Sequence, residues 1–347
     1  MVLPTLVQVS DRAAMSAPQK AQDIGKKLHA MLPFVKKHGS NILGVLFIVI
    51  VGWLLWDTLA ALDWQKTWKH TKNTPWKTVA LTLGLTILSY IIYASFDLVE
   101  LLRSSKARPK LPAATMAAWS CYAVNFNFGS IFGGVGMRLK LYSDLQISKQ
   151  RIGRIVTLST ISNWLGYFLI AGIILIAKPE LLIDFPGLRH LPLRALGLLF
   201  LTVVSIALII LKTKRTIQIR SLNFELPSFK EGLIRLVLGV LNWTVVSAIY
   251  VGIFTTHYKA EPVTVIVSGL VSAVAGVITH IPGGIGVLEA TFLAAIGKQI
   301  GSAQVMAGLL FFRAVYYVLP LAVAFIFLII LKVFPDLKSP SNKSEVR

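Results

Sequence analysis

The sequence predicts an all-α, polytopic membrane protein: about six full spans plus two re-entrant helical hairpins, arranged as an inverted repeat. Three observations lead there. The chain is 55% hydrophobic and only 14% charged over 347 residues, with mean hydropathy +0.70. A soluble domain of this length cannot hide so much apolar surface. The apolar residues also fall into runs near the roughly 20 that a helix needs to cross a bilayer. Finally, the basic residues lie in short segments between those runs. With 35 Lys+Arg against 15 Asp+Glu the net charge is +20, yet the charge is not gathered on one amphipathic helix or patch, which argues against a nucleic-acid partner. The apolar content excludes disorder, and the single Cys121 excludes a disulfide scaffold.

The full spans follow in order. Ile42–Leu62 holds one charge, Asp57, and is long enough to stay as an anchor rather than a cleaved signal. Trp76–Val99 carries Asp97 near its end. Ile155–Ala177 and Ala195–Leu211 are uncharged, and Leu233–Thr255 holds only Arg235. Ala303–Leu331 is interrupted by Arg313 and Pro320. Two further apolar segments are broken. Ala113–Gly136 is rich in Asn and Gly, and Pro262–Gly297 is broken by His280-Ile-Pro-Gly-Gly-Ile-Gly286. The domain reading is a polar tail over 1–40, a membrane domain over 41–332 and a second tail over 333–347.

Short loops rich in Lys and Arg face the cytoplasm. Five segments qualify: the N-terminal tail, 100–112, 138–154, 212–230 and the C-terminal tail. Both termini are therefore expected in the cytoplasm of a bacterial inner membrane. If 100–112 and 138–154 lie on one side, Ala113–Gly136 must enter and return. The same parity makes Pro262–Gly297 a second hairpin, from the other face. One loop disagrees, since Lys66, Lys69, Lys72 and Lys77 then lie outside. Non-helical backbone at membrane depth is tolerated only where protein or a wet cavity covers it, so both breaks are candidate site walls.

A shift of 150 residues lays Gly133-Gly134-Val-Gly136 on Gly283-Gly284-Ile-Gly286, Asn163 on Arg313 and Tyr167 on Tyr317. The units are about 42–177 and 195–331. Each has three crossings, so the second is inverted, a recurring transporter design.

The Gly-Gly-x-Gly breaks suit close backbone approach, and a helix that starts after one offers free N–H groups to a phosphate. Packing of two hairpin arms explains the same glycines. Arg138 is either a phosphate ligand or an interfacial positive-inside residue. Glu289 and Arg313 stand in apolar surroundings, where an unpaired charge costs at least ~2.5–3.5 kcal/mol. They can pair with each other, line a route, or leave Glu289 as a proton carrier. Asn125, Asn127, Asn163 and Asn242 are polar notches that suit helix–helix hydrogen bonds. Asp97 and Glu100 read as helix-end residues. His280 lacks a second His at ligand spacing, so no metal and no cofactor is expected. No H-E-x-x-H, G-x-S-x-G or Walker loop occurs, which argues against an enzyme.

Two strings carry a resemblance. His280-Ile-Pro-Gly-Gly-Ile-Gly-Val-Leu-Glu289-Ala, followed by Arg313-x-x-x-Tyr317-x-x-Pro320, resembles the lysylphosphatidylglycerol synthetase transmembrane-region family. Asn125-Phe-Asn-Phe-Gly-Ser-Ile-Phe-Gly-Gly-Val-Gly-Met-Arg138 resembles it more loosely. In larger members this module joins a soluble aminoacyltransferase and is taken to move aminoacylated phosphatidylglycerol between leaflets. Here a short polar tail follows Leu331, so the resemblance implies a stand-alone flippase-like module. It implies head-group or translocation roles for Gly133, Gly134, Gly136, Arg138, Gly283, Gly284, Gly286, Glu289 and Arg313, with Asn125, Asn127 and Tyr317 in the same strings.

The expected activity is translocation of a phosphate-bearing lipid, with anionic membrane phospholipids as partners and a lipid-synthesis enzyme as a further candidate. A membrane-embedded enzyme, an ion-coupled solute transporter and a purely structural partner stay open as alternatives, as does the oligomeric state.

Overall fold

The computed structural model describes Gln65, Lys69 and residues 72–103, 109–182, 190–214, 216–219, 222–256, 258–279 and 281–338. The run 42–62, both polar tails beyond these limits and His280 lie outside the described residues. The described chain is nearly all helical, and six of its helices are long and apolar enough to cross a membrane.

Helix α1 (Trp76–Leu101) starts directly after Pro75. Helix α2 (Leu111–Phe128) carries a proline in its first turn, where the missing N–H costs nothing. It stops at Gly129, whose φ of 84° ends the helix. A π-helical segment (Ser130–Met137) and the short α3 (Arg138–Asp144) follow. Helix α4 (Lys149–Ala177) is capped by Ser148, and α5 (Leu193–Thr213) comes next. Helix α6 (Phe229–Phe254) opens with a capping box. The Ser228 N–H donates to Glu231 Oε2 at 2.8 Å, and the Glu231 N–H donates to Ser228 Oγ at 3.3 Å. Helices α7 (Pro262–Thr279) and α8 (Val287–Ile300) flank the second break. The last apolar run is α9 (Ser302–Arg313), a second π segment (Ala314–Val318) and α10 (Leu319–Val333).

Five of the six long helices coincide with spans read from hydropathy. The sixth, α7, is the first arm of the second broken segment. One element escaped the sequence reading: strands β1 (Thr216–Ile219) and β2 (Leu222–Glu225) pair antiparallel within the basic segment 212–230. Its signal was the alternation Ile217, Ile219, Leu222, Phe224, which the charge of the segment masked.

Helix α6 sits at the centre and packs on α1, α4, α5, α7 and α9. Helix α4 crosses it where Gly166 meets Gly239, so closely that a Cβ on Gly166 would stand 2.2 Å from the Gly239 carbonyl carbon. Small residues let membrane helices approach to this distance. Polar notches complete the crossing. Asn242 Nδ2 donates to Asn163 Oδ1 at 3.1 Å, Trp243 Nε1 to the Asn163 carbonyl at 2.9 Å, and Ser89 Oγ to Asn242 Oδ1 at 3.2 Å. Both asparagines are thus helix–helix hydrogen-bonding residues. Replacing Asn242 by Leu removes two of these bonds, each worth about 0.6–2 kcal/mol in a membrane setting. The expected result is a modest drop in the melting temperature of the detergent-solubilised protein.

Helix α2 is buried along Ala113, Ala114, Ala117, Ala118 and Cys121, all at 0% exposure. Alanines let it lie deep between α1 and α10. Helix α5 is peripheral by contrast and exposes Leu198, Leu199, Ile206 and Ile209.

Four of the basic segments gather at one end of the bundle. Arg103 reaches Glu231 at 3.8 Å, Arg154 reaches Glu225 at 3.2 Å, and Lys338 reaches Asp144 at 3.6 Å. Arg151 donates to the carbonyls of Glu100 and Leu101. The chain therefore leaves this end at the close of α1 and is back at the start of α4.

Candidate functional site

The second break is built by three glycines with positive φ: Gly283 at 64°, Gly284 at 58° and Gly286 at 80°. Only glycine adopts these angles cheaply, and the turn they make starts α8 with Gly286 as its N-cap. The Gly286 N–H donates to Glu289 Oε2 at 2.8 Å. The anion at this helix N-terminus is thus the protein's own carboxylate, placed where the helix dipole favours it.

Arg313 closes the arrangement. Its Nε and Nη2 donate to the two Glu289 oxygens at 2.8 and 3.1 Å, a bidentate fork. Nη1 donates to the Gly283 carbonyl at 2.9 Å and Nη2 to the Gly284 carbonyl at 3.4 Å. The guanidinium also lies 5.6 Å from the Tyr317 ring centroid. The side chains are 15% and 9% exposed, so the pair is enclosed but not sealed. Gly286→Ala has open space for its Cβ and a strained φ. A cost of about 1–2 kcal/mol is expected, read as a small loss of melting temperature with the fold retained.

The end of α2 meets this break. A Cβ on Gly283 would lie 3.7 Å from the Phe126 carbonyl and 3.7 Å from Arg313 Nη1. Asn127 Nδ2 donates to the Ala123 carbonyl at 2.8 Å and to the Tyr317 carbonyl at 3.1 Å. That bond ties α2 to the second π segment, where shifted helical pairing makes carbonyls available. Pro320 has no N–H to give, and the Tyr90 hydroxyl donates to the Tyr316 carbonyl at 3.1 Å. Aromatic rings of Phe126, Tyr316, Tyr317 and Phe312 pack around the junction.

The first break works differently. Gly133 and Gly134 lie inside the π segment without positive φ, and the turn residue is Gly129. Gly133 is required by contact: a Cβ there would stand 2.1 Å from the Asn125 backbone nitrogen. Gly134 faces Asn125 Oδ1, 2.8 Å from its would-be Cβ. Gly136 is exposed. The two Gly-Gly-x-Gly strings thus match in sequence and differ in backbone.

Arg138 is not at the junction. It is 4% exposed and fills a closed network at the end of α1. Nε and Nη2 donate to Asp97 at 2.7 and 3.3 Å, and Nη1 to the Gly134 carbonyl at 2.8 Å. Asp97 also accepts from Ser159 at 2.7 Å, from Tyr122 at 3.1 Å and from Tyr142. Tyr122 stacks under the guanidinium at 4.4 Å.

The structure therefore brings Asn127, Gly283, Gly284, Gly286, Glu289, Arg313 and Tyr317 together. Asn125, Gly133 and Gly134 join through α2, and Arg138 stands in its own buried lock. Sequence reasoning missed Asp97 as the partner of Arg138. The signal was present, because Asp97 stands in an apolar helix as Glu289 does; its place near the helix end disguised it.

Comparison with known proteins identifies the family. The family model described as "Lysylphosphatidylglycerol synthase TM region" matches residues 41–324. The inner membrane protein YbhN of Escherichia coli is 34% identical over 299 residues, covering 84% of this chain and 92% of that protein. The uncharacterized protein slr0712 of Synechocystis is 25% identical over 284 residues, covering 80% and 87%. The chain is an integral membrane protein, and it belongs to the lysylphosphatidylglycerol synthase transmembrane-region family.

Proposed function

We propose that this protein moves a phosphate-bearing phospholipid between the leaflets of a bacterial inner membrane, as a carrier and not an enzyme. The observation that carries this reading is the Glu289–Arg313 pair. A charge pair inside an apolar chain normally faces a cavity or a route. This one stands where a helix N-terminus, a glycine turn and the end of α2 meet. Arg313 offers a fork that fits a phosphate as well as it fits a carboxylate. Glu289 holds that fork in the resting state. A lipid phosphate takes over the guanidinium while Glu289 falls back on the α8 N-terminus.

In this reading both broken segments are re-entrant hairpins related as inverted repeats, and both termini face the cytoplasm. Supporting it, α4 begins beside the end of α1. The second hairpin likewise ends where it began, with the Glu261 N–H on Gln299 Oε1 at 3.5 Å. The inner membrane is supported by the name of the Escherichia coli relative. A lipid substrate is supported by the description of the family. Anionic phospholipids are the expected cargo, and a lipid-synthesis enzyme is the expected supplier.

The test is leaflet exchange of fluorescent phosphatidylglycerol in proteoliposomes. The wild type is expected to exceed empty vesicles. Arg313→Gln forfeits charge-assisted hydrogen bonds worth about 1.5–3 kcal/mol, so exchange should fall roughly tenfold or more. Arg313→Lys keeps the charge but not the fork and should fall between the two. Exchange that is absent in the wild type, or unchanged in Arg313→Gln, overturns the reading.

A further inference from the structure

Away from the Glu289–Arg313 junction, four arginines converge on the end of α1 from three helices' ends. Glu100 is approached by Arg154 Nε at 3.1 Å, Arg235 Nη2 at 3.5 Å and Arg103 Nη1 at 3.9 Å. Arg151 caps the neighbouring carbonyls of Glu100 and Leu101. Two more carboxylates stand at the edge, Glu225 on Arg154 and Glu231 on Arg103. Glu231 is already engaged in the capping box of α6. Four guanidiniums thus share three carboxylates, one of them committed elsewhere.

Donors are left over. The Arg235 side chain is 4% exposed, and it donates to the Phe96 carbonyl at 3.2 Å through Nη1. Its Nε is buried without a hydrogen-bond partner, as is Nη2 of Arg154. Arg154 Nε comes near Glu100 yet makes no hydrogen bond to it. Buried polar groups in native proteins are almost always paired, and unpaired ones call for a reason. Here two charged donors, Arg154 Nη2 and Arg235 Nε, stand unpaired on two arginines that share Glu100. Arg313, by contrast, is satisfied by Glu289 and two glycine carbonyls.

The geometry points to a second anion site at this basic end, one that takes a phosphate group between Arg154 and Arg235. Guanidinium forks match the oxygens of a phosphate, and basic pockets between membrane helices are a recurring place for lipid head groups. Glu100, 6% exposed, is the fixed counter-ion. Glu225 is the competitor: it is 73% exposed on the two-stranded hairpin and holds Arg154 only from outside. A phosphate displaces it with little desolvation. A lipid head group and free phosphate offer the same chemistry.

The experiment is thermal unfolding of the full chain in a neutral maltoside detergent at constant ionic strength. The additives are inorganic phosphate, short-chain phosphatidylglycerol and short-chain diacylglycerol. Phosphatidylglycerol is expected to raise the melting temperature in a concentration-dependent way, and diacylglycerol is not. Stabilisation by inorganic phosphate as well assigns the site to phosphate itself; stabilisation by the lipid alone assigns it to an anchored head group. Arg154→Gln and Arg235→Gln should weaken the apparent affinity roughly tenfold. Glu225→Gln, at an exposed position that leaves the fold intact, should tighten it roughly twofold to fivefold. The inference is overturned if neither phosphate compound stabilises the wild type, or if diacylglycerol does so equally. It is also overturned if the wild type, Arg154→Gln and Glu225→Gln share one affinity.

Discussion

Asp97→Ala is expected to cost the membrane domain about 3–5 kcal/mol, the penalty for leaving one partner of a buried ion pair alone. Asp97 is at 0% exposure and receives two donors from Arg138, with Ser159, Tyr122 and Tyr142 completing the shell. Truncation strands the guanidinium, 4% exposed, and three hydroxyls that then lack their acceptor. Four elements lose their common anchor, since these groups come from α1, α2, α3 and α4. The single variant should melt far below the wild type and elute broadly on size exclusion. The double variant Asp97→Leu, Arg138→Met removes both charges and keeps the volume. Replacing a buried pair by apolar groups is often neutral or better, so the double variant should recover most of the loss. A double variant as unstable as the single one would show that the hydroxyl shell, and not the stranded charge, sets the cost.

Gly166→Ala should be nearly as damaging, although it adds a single methyl group. Its Cβ would meet the Gly239 carbonyl carbon at 2.2 Å, and a Cβ on Gly239 would meet the Ser162 carbonyl oxygen at 2.4 Å. These are backbone atoms, so no side chain can swing aside. Overpacking a core costs about 1–3 kcal/mol where side chains can adjust, and a backbone clash exceeds that. The displacement also pulls Asn242 and Trp243 away from Asn163, whose bonds are 3.1 and 2.9 Å long. Gly153 is the internal control. It lies on the same helix, and a Cβ there meets nothing within 4 Å. Gly153→Ala should be neutral or stabilise by about 0.4–1 kcal/mol through the unfolded chain. Melting temperatures of the two variants, side by side, separate close approach from helix propensity.

Much of the molecule is legible in its amino-acid sequence. The spans α1, α4, α5, α6 and α9–α10 follow from hydropathy, because every residue facing lipid bears its own transfer cost. The basic segments 100–112, 138–154 and 212–230 follow from loop charge, and the fold gathers them at one end with the C-terminal turn. Glu289 and Arg313 stand out because charge does not belong in such surroundings, and they are the pair that forms. The glycines are legible as breaks but not in their physical cause. Gly283, Gly284 and Gly286 are needed for positive φ, whereas Gly133 is needed for contact with Asn125. The strings alone read the same.

By itself, then, the sequence determined the helical membrane class, most span positions, the family and the buried charges at the second break. Those depend on local composition, which a chain carries without folding. Tertiary structure alone decided which charge meets which. It gave Arg138 to Asp97, 41 residues away, and put Arg154 and Arg235 around Glu100. Such pairings are set by helix crossings like that of Gly166 with Gly239. A crossing depends on the shapes of two distant surfaces at once, and no one-dimensional count of hydropathy or charge contains them.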